Sequence, residues 1–165
     1  MTMYPDLPYI KVDGEMPDLG YARPGDAGLD LCTTKSVDIS PQGMVKVGTG
    51  VRCAIPEGFV GLIVPRSSIA TKRGITVINT PGTIDSGYRG EIMLPLYNMS
   101  TETQSVRRGE RVAQMIILAY AIVNPVLAVL LPESERGENG FGSTGTFGMR
   151  SDDDGHDAIG AHDRL

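Results

Sequence analysis

Chemistry in this chain is concentrated in five short clusters punctuated by glycine. The run from Asn79 to Gly90, NTPGTIDSGYRG, places an acid and an aromatic on either side of Ser86-Gly87. Its strand-like flanks predict a tight hairpin turn, across which alternation would set Asp85 and Tyr88 close together near the tip. A carboxylate beside an aromatic ring can hold a water and a planar ligand. Pro65-Arg66-Ser67-Ser68 opens the one segment with a helical pattern. A helix start offers free N–H groups and a positive dipole end, and Arg66 with the two hydroxyls adds further donors. That combination suits a phosphate.

Three more clusters complete the set. Gly25-Asp26-Ala27-Gly28-Leu29-Asp30-Leu31 sets the Asp30 carboxylate at the start of an apolar strand, with small residues before it that permit close backbone approach. Arg107-Arg108-Gly109-Glu110-Arg111 reads as a charged turn, followed by Gln114, a polar amide inside an apolar strand that asks for a partner. Arg136 to Gly145, RGENGFGSTG, can wrap a polyphosphate through backbone amides and hydroxyls, and Phe141 within it suits stacking on a base. Each cluster alone also fits an ordinary turn, helix cap or polar loop.

Strands must position these groups. Val45, Val47, Thr49, Val51, Cys53 and Ile55 alternate with their neighbours in the period of a half-buried strand. Further strands are predicted at Ile10–Val12, Leu29–Thr33, Phe59–Val64, Ile75–Ile78, Ile92–Asn98 and Val112–Ala119. Pro95 removes a ladder donor, which predicts a bulge or an edge there. The helix is expected over Ser67–Arg73, capped by Ser67, completed by Lys72 and Arg73, and ended by Gly74. The apolar run Met115–Leu131 is too short for a membrane span and broken by Asn124-Pro125; it reads as two successive buried strands. Many short strands with one short helix indicate an all-β barrel or jelly roll.

Composition narrows the function classes. The chain has 165 residues, enough for one domain with a real core. A net charge of −5 argues against a general nucleic-acid or membrane-surface binder. No tryptophan and three phenylalanines leave the core to aliphatic side chains. Cys32 and Cys53 are the only cysteines, and the first ten residues lack the basic and apolar regions of an export signal. Reduced, buried thiols in the cytoplasm are expected, with a single disulfide as the alternative. From Thr146 onward the chain is polar, acidic and without period, which predicts a disordered tail.

In this order the five clusters resemble the five signature motifs of the trimeric dUTPase family, from about Ile10 to Gly145. GTIDSGYRGE and RGENGFGSTG are the most specific. The resemblance implies a jelly-roll-like β-barrel over residues 1–135, a glycine-rich arm over 136–145 and a tail over 146–165. It implies a homotrimer whose arms are exchanged, so that each active site is composite. The implied activity is magnesium-dependent hydrolysis of dUTP to dUMP and pyrophosphate, which keeps uracil out of DNA and supplies dUMP for thymidylate synthesis.

The motifs carry roles with them. Asp85 matches the residue that activates the attacking water, and Tyr88 the aromatic beneath the deoxyribose that excludes a 2′-hydroxyl. Asn79 and the backbone around Thr83, Ile84 and Asp85 match the readers of uracil's polar edge, and Met93 lies where the next strand nears the nucleotide. Arg66, Ser67, Ser68 and Gln114 match phosphate contacts. Asp30 matches a carboxylate that reaches magnesium through water. Arg136, Phe141, Gly142, Ser143 and Thr144 match the arm that closes over the nucleotide. Ser68 stands where many relatives have Gly, Glu110 where Asp is usual, and the tail runs past the family's usual end. The rival readings are a dCTP deaminase of the same fold, which would lack the arm, and a regulatory binding protein that uses the nucleotide site as a switch.

Overall fold

A computed structural model describes residues 4–139. Its strands are β1 (Tyr9–Lys11), β2 (Gly28–Cys32), β3 (Val37–Ile39), β4 (Met44–Gly48), β5 (Val51–Cys53) and β6 (Phe59–Pro65). Helix α1 (Ser67–Arg73) follows, then β7 (Ile75–Val77), β8 (Gly82–Ile84), β9 (Met93–Asn98), β10 (Gln104–Val106) and β11 (Arg111–Ala119). All pairs are antiparallel. The largest sheet has the order β2-β11-β6-β8, a second β4-β9-β7, and two small ribbons pair β1 with β5 and β10 with β3. Between them lies a core of aliphatic side chains, among them Leu31, Val47, Ile75, Leu94, Val112 and Met115, all fully buried. Each such side chain contributes about 1.5–3 kcal/mol by leaving water, so a chain poor in aromatics still has a sufficient core.

Several sequence expectations need correction. The long alternating strand over residues 45–55 is two strands, because β4 pairs with β9 while β5 turns away to pair with β1. The break falls at Thr49-Gly50, where the Glu91 carboxylate accepts the Gly50 N–H at 2.8 Å in place of a ladder partner. The inward alternation survives the break: Val47, Thr49, Val51, Cys53 and Ile55 are all buried.

Pro95 is neither bulged nor at an edge; β9 is the central strand of its sheet. Its carbonyl accepts Ile78 N at 2.9 Å, so its own nitrogen faces the same side, just past the last residue of β7. The missing donor therefore falls where that ladder has already ended.

Arg66, not Ser67, occupies the N-cap, and no side chain caps the helix. Gly74 ends it as expected, in the left-handed conformation at φ 65°, donating to Ala70 O and Ile69 O. The second half of the apolar run forms no strand, and Ile122, Val126, Leu127 and Leu131 are exposed. Among the described residues no strand follows β11, which ends at Ala119. Among the described residues no helix is long and apolar enough to cross a membrane.

Residues 124–139 form a separate unit without strand or helix. The N-terminal segment is tied to the barrel by Arg108, which donates to Asp13 at 2.7 Å, Glu15 at 2.9 Å and Thr34 O at 2.6 Å. The guanidinium holds the Asp13 carboxyl below its ordinary range.

Candidate active site

The adjacent strands β2 and β11 and the start of α1 frame a cleft of about 260 Å³. Asp30, Arg66, Ser67, Ser68 and Gln114 all line it, with Asp26 and Gly28 beside them. Strand register explains the grouping: Gln114 sits opposite Asp30 on β2 and opposite Val64 on β6, whose end leads into Arg66. Gly28 is required by space. A β-carbon there would lie 2.9 Å from Gln114 Cβ, so only glycine lets the Gln114 side chain cross the neighbouring strand.

Asp30 organises the cationic side of the cleft. Its Oδ1 lies 3.3 Å from Arg66 Nε, and its Oδ2 accepts Arg111 Nη1 at 2.9 Å. With only 13% of its side chain exposed, the carboxylate is a partly buried anchor between two guanidinium groups. Arg111 was not singled out by its residue pattern. The signal was its place three residues before Gln114, the polar residue of β11 that faces Asp30. Glu110, beside it, accepts from Arg73 at the end of α1 and from Arg107 N, which fixes the turn against the helix. The first backbone bonds of α1 are donated by Ile69 and Ala70 to Arg66 O. The Ser67 and Ser68 N–H groups thus stand ahead of the ladder at the cleft, as a phosphate site needs.

Asn79, Thr83, Ile84, Asp85 and Tyr88 gather at a second locus. The segment is a tight turn, with Tyr88 N donating to Asp85 O at 3.0 Å. It is not a hairpin, because β8 pairs with β6 whereas β9 pairs with β4 and β7. Side chains therefore do what a ladder would have done. Arg89 Nη1 donates to Ser86 O at 2.6 Å and Tyr88 O at 2.8 Å, and Arg52 Nε donates to Arg89 O at 2.6 Å. Tyr88 Oη donates to Glu91 O at 2.9 Å. Asn79 packs over Gly82, and Met93 is exposed at the start of β9.

The two loci lie apart within one chain. Ile84 pairs with Gly61 and Gly82 with Ile63, so Asp85 continues toward Val60 while Arg66 follows the opposite end of β6. Six residues of strand separate those points, about 20 Å at the usual rise. None of Asn79, Asp85 and Tyr88 lines the cleft.

In the separate C-terminal unit, Arg136 Nε donates to Asn139 O at 2.9 Å and Gly137 N to Ser134 O at 3.0 Å. Phe141, Gly142, Ser143 and Thr144, with the acidic tail, lie outside the described residues. Cys32 and Cys53 are buried and free, and burial raises both thiol pKa values.

A family model described as dUTPase matches residues 14–145. Over 146 residues the chain is 46% identical to a deoxyuridine 5′-triphosphate nucleotidohydrolase of Nocardia farcinica, covering 88% of both proteins. It is 48% identical over 136 residues to one from Bifidobacterium longum, covering 81% of this chain and 86% of the relative. Among solved structures, Staphylococcus bacteriophage 80alpha dUTPase with dUpNHpp superposes with a TM-score of 0.76 at 27% identity, over 86% of this chain and 99% of that one. A dUTPase from Streptococcus mutans gives 0.63 at 27% identity, over 71% and 98%.

Proposed function

The chain belongs to the dUTPase family, and from that membership we propose that it hydrolyses dUTP to dUMP and pyrophosphate in a site shared between copies of a homotrimer. The observation that supports sharing is the separation along β6. A phosphate cradle at Arg66 and a water-activating carboxylate at Asp85, about 20 Å apart by strand rise, are far apart for one chain to bring both to one triphosphate, which favours their coming from different copies. Cyclic assembly through a heterologous interface brings such opposite ends together three times.

In this reading Asp85 accepts a proton from a water whose oxygen attacks the α-phosphorus. The bond from that phosphorus to the bridging oxygen breaks, and pyrophosphate leaves with its electron pair. General-base assistance of this kind contributes about 10²–10⁴-fold. Asn79 and the backbone of Thr83, Ile84 and Asp85 read uracil's polar edge, Tyr88 lies beneath the deoxyribose, and Met93 flanks the nucleotide. A reader of the polar edge rejects cytosine, whose donor meets a donor, by up to about 10⁴–10⁵. Arg66, held to Asp30, fixes the phosphates with Ser67, Ser68 and Gln114. Arg136, Phe141, Gly142, Ser143 and Thr144 close the site from a further copy and exclude bulk water.

The cleft's donors fit a magnesium ion. Asp26 and Asp30 present hard oxygens beside the phosphate-binding groups. Such a set suits an ion held chiefly by the triphosphate, with Asp30 reached through its water shell. The ion would neutralise phosphate charge. Two free, buried cysteines suit the reducing cytoplasm as the place of work.

Pyrophosphate release from dUTP, dCTP, dTTP and UTP, with and without magnesium, tests the proposal. Turnover confined to dUTP and dependent on the metal is expected. An intact dUTP pool would refute it, and ammonia release from dCTP would replace it with the deaminase reading.

A further inference from the structure

Gly90 sits two residues past the tight turn, and its lack of a side chain has a spatial cause. It is not among the residues with positive φ, so its backbone conformation is open to any amino acid. Space is not: a β-carbon there would lie 2.6 Å from Tyr88 Cζ, 3.0 Å from Cε2, and closer still to the hydroxyl. The Tyr88 ring thus rests directly on the Gly90 α-carbon. Its far end is fastened by the bond from Oη to Glu91 O. Gly87, in the same turn, meets nothing within 4 Å, so the crowding is particular to Gly90.

The backbone under the ring is the firmer partner. Arg89 O is held by Arg52, and the Glu91 carboxylate accepts Gly50 N. Tyr88, by contrast, is a 42% exposed, rotatable side chain fastened at its tip by the bond to Glu91 O. A side chain added at position 90 therefore displaces the ring and breaks its bond to Glu91 O.

On the reading that Tyr88 lies beneath the sugar, we infer that Gly90 is a specificity-determining position: its bare α-carbon is the seat of the Tyr88 ring, and through that ring it sets the preference for a 2′-deoxy pentose. Gly90 acts through Tyr88 and is a positioning residue. A seated ring leaves no volume for a 2′-hydroxyl, and a ring lifted from the seat opens it.

The test compares kcat/KM for dUTP and UTP in the parent, Gly90→Ala, Tyr88→Ala and the double variant, with thermal melting and a crystal structure of Gly90→Ala. The dUTP/UTP ratio in Gly90→Ala should fall by about tenfold to a hundredfold, the scale on which a pocket tells an added hydroxyl by shape alone. In the Tyr88→Ala background the same change should do nothing, because no ring remains to displace. An unchanged ratio in folded Gly90→Ala, or an equal effect in both backgrounds, would overturn the inference. So would a crystal structure with the ring unmoved, a readout that does not depend on activity. If Gly90→Ala fails to fold, the double variant must fold, since the crowding atoms belong to Tyr88; its failure also overturns the inference. A parent that leaves dUTP whole would instead refute the hydrolase reading, while the crystal structure would still decide the seat.

Discussion

A site divided between copies makes a quantitative prediction about mixtures. Arg66→Ala removes a guanidinium held by Asp30 at the phosphate cleft. A hydrogen bond to a charged group is worth about 1.5–3 kcal/mol, so this variant should fall about tenfold to a hundredfold in kcat/KM. Asp85→Asn removes the proposed proton acceptor toward the opposite end of β6 and should lose about 10²–10⁴-fold in turnover. Each variant carries the half that the other lacks.

The two are to be unfolded together in equal amounts, refolded, and assayed for pyrophosphate release. If Arg66 and Asp85 of one site come from different copies, a site is intact when its cleft is supplied by the Asp85 variant and its turn by the Arg66 variant. Random assembly makes about one site in four intact in a closed oligomer. The mixture should therefore recover about a quarter of parental activity, while each variant alone keeps at most about a tenth. If a single chain supplied both groups, every site would carry one defect. Activity no higher than the mean of the two separate variants would refute the sharing deduced from the register of β6 and β8.

Other expected outcomes follow from single contacts. Asp85→Asn should retain affinity for a non-hydrolysable dUTP analogue by calorimetry, because it spares the phosphate cleft; binding lost together with turnover would make Asp85 a binding group. Asp30→Asn should raise KM for dUTP by about tenfold and change kcat far less, since it frees Arg66 and Arg111 from their shared carboxylate; an effect on kcat alone would contradict this. A chain ending at Glu135 should remain folded and trimeric by light scattering yet turn over poorly; dissociation would make the missing segment structural first. Burial raises the pKa of Cys32 and Cys53. Native protein at pH 8 should therefore resist iodoacetamide that labels it in urea. The sign for stability follows: the unfolded thiols ionise first, so their contribution is full below the ordinary thiol pKa of about 8.5 and is lost as pH rises above it. Equal labelling in the two states would refute their burial.

Groups close in sequence were legible; groups brought together by pairing were not. Arg66-Ser67-Ser68 announces a helix start because its hydroxyls precede an apolar residue and Gly74 closes the turn seven residues later. The position of the cap was off by one, since Arg66 already has extended backbone and neither hydroxyl turns back on it. The three-residue strands β3 and β10 escaped notice because three positions carry no measurable period. Arg111 escaped for another reason: its link to Asp30 spans 81 residues and depends on the irregular register between β2 and β11. The Asp85 turn was recognised, but its flanks looked like one hairpin because both are strands. Only the partner of each strand shows that they enter different sheets.

Charge balance ties the cleft to its missing partners. Asp26, Asp30 and Arg66 line it, and Arg111 lies on Asp30. Two cations thus face two anions, and the cleft is formally neutral. A neutral cleft can orient a phosphate through Ser67, Ser68 and the free N–H groups, but it cannot offset the several charges of a triphosphate. On the proposed reading, most of the compensation falls to groups outside it, a divalent ion and Arg136. The neutrality has a use. Asp30 keeps two guanidinium groups in place and offsets their charge, so on the proposed reading strong binding draws on metal and arm together. Free phosphate, which would recruit neither, is then expected to be held weakly.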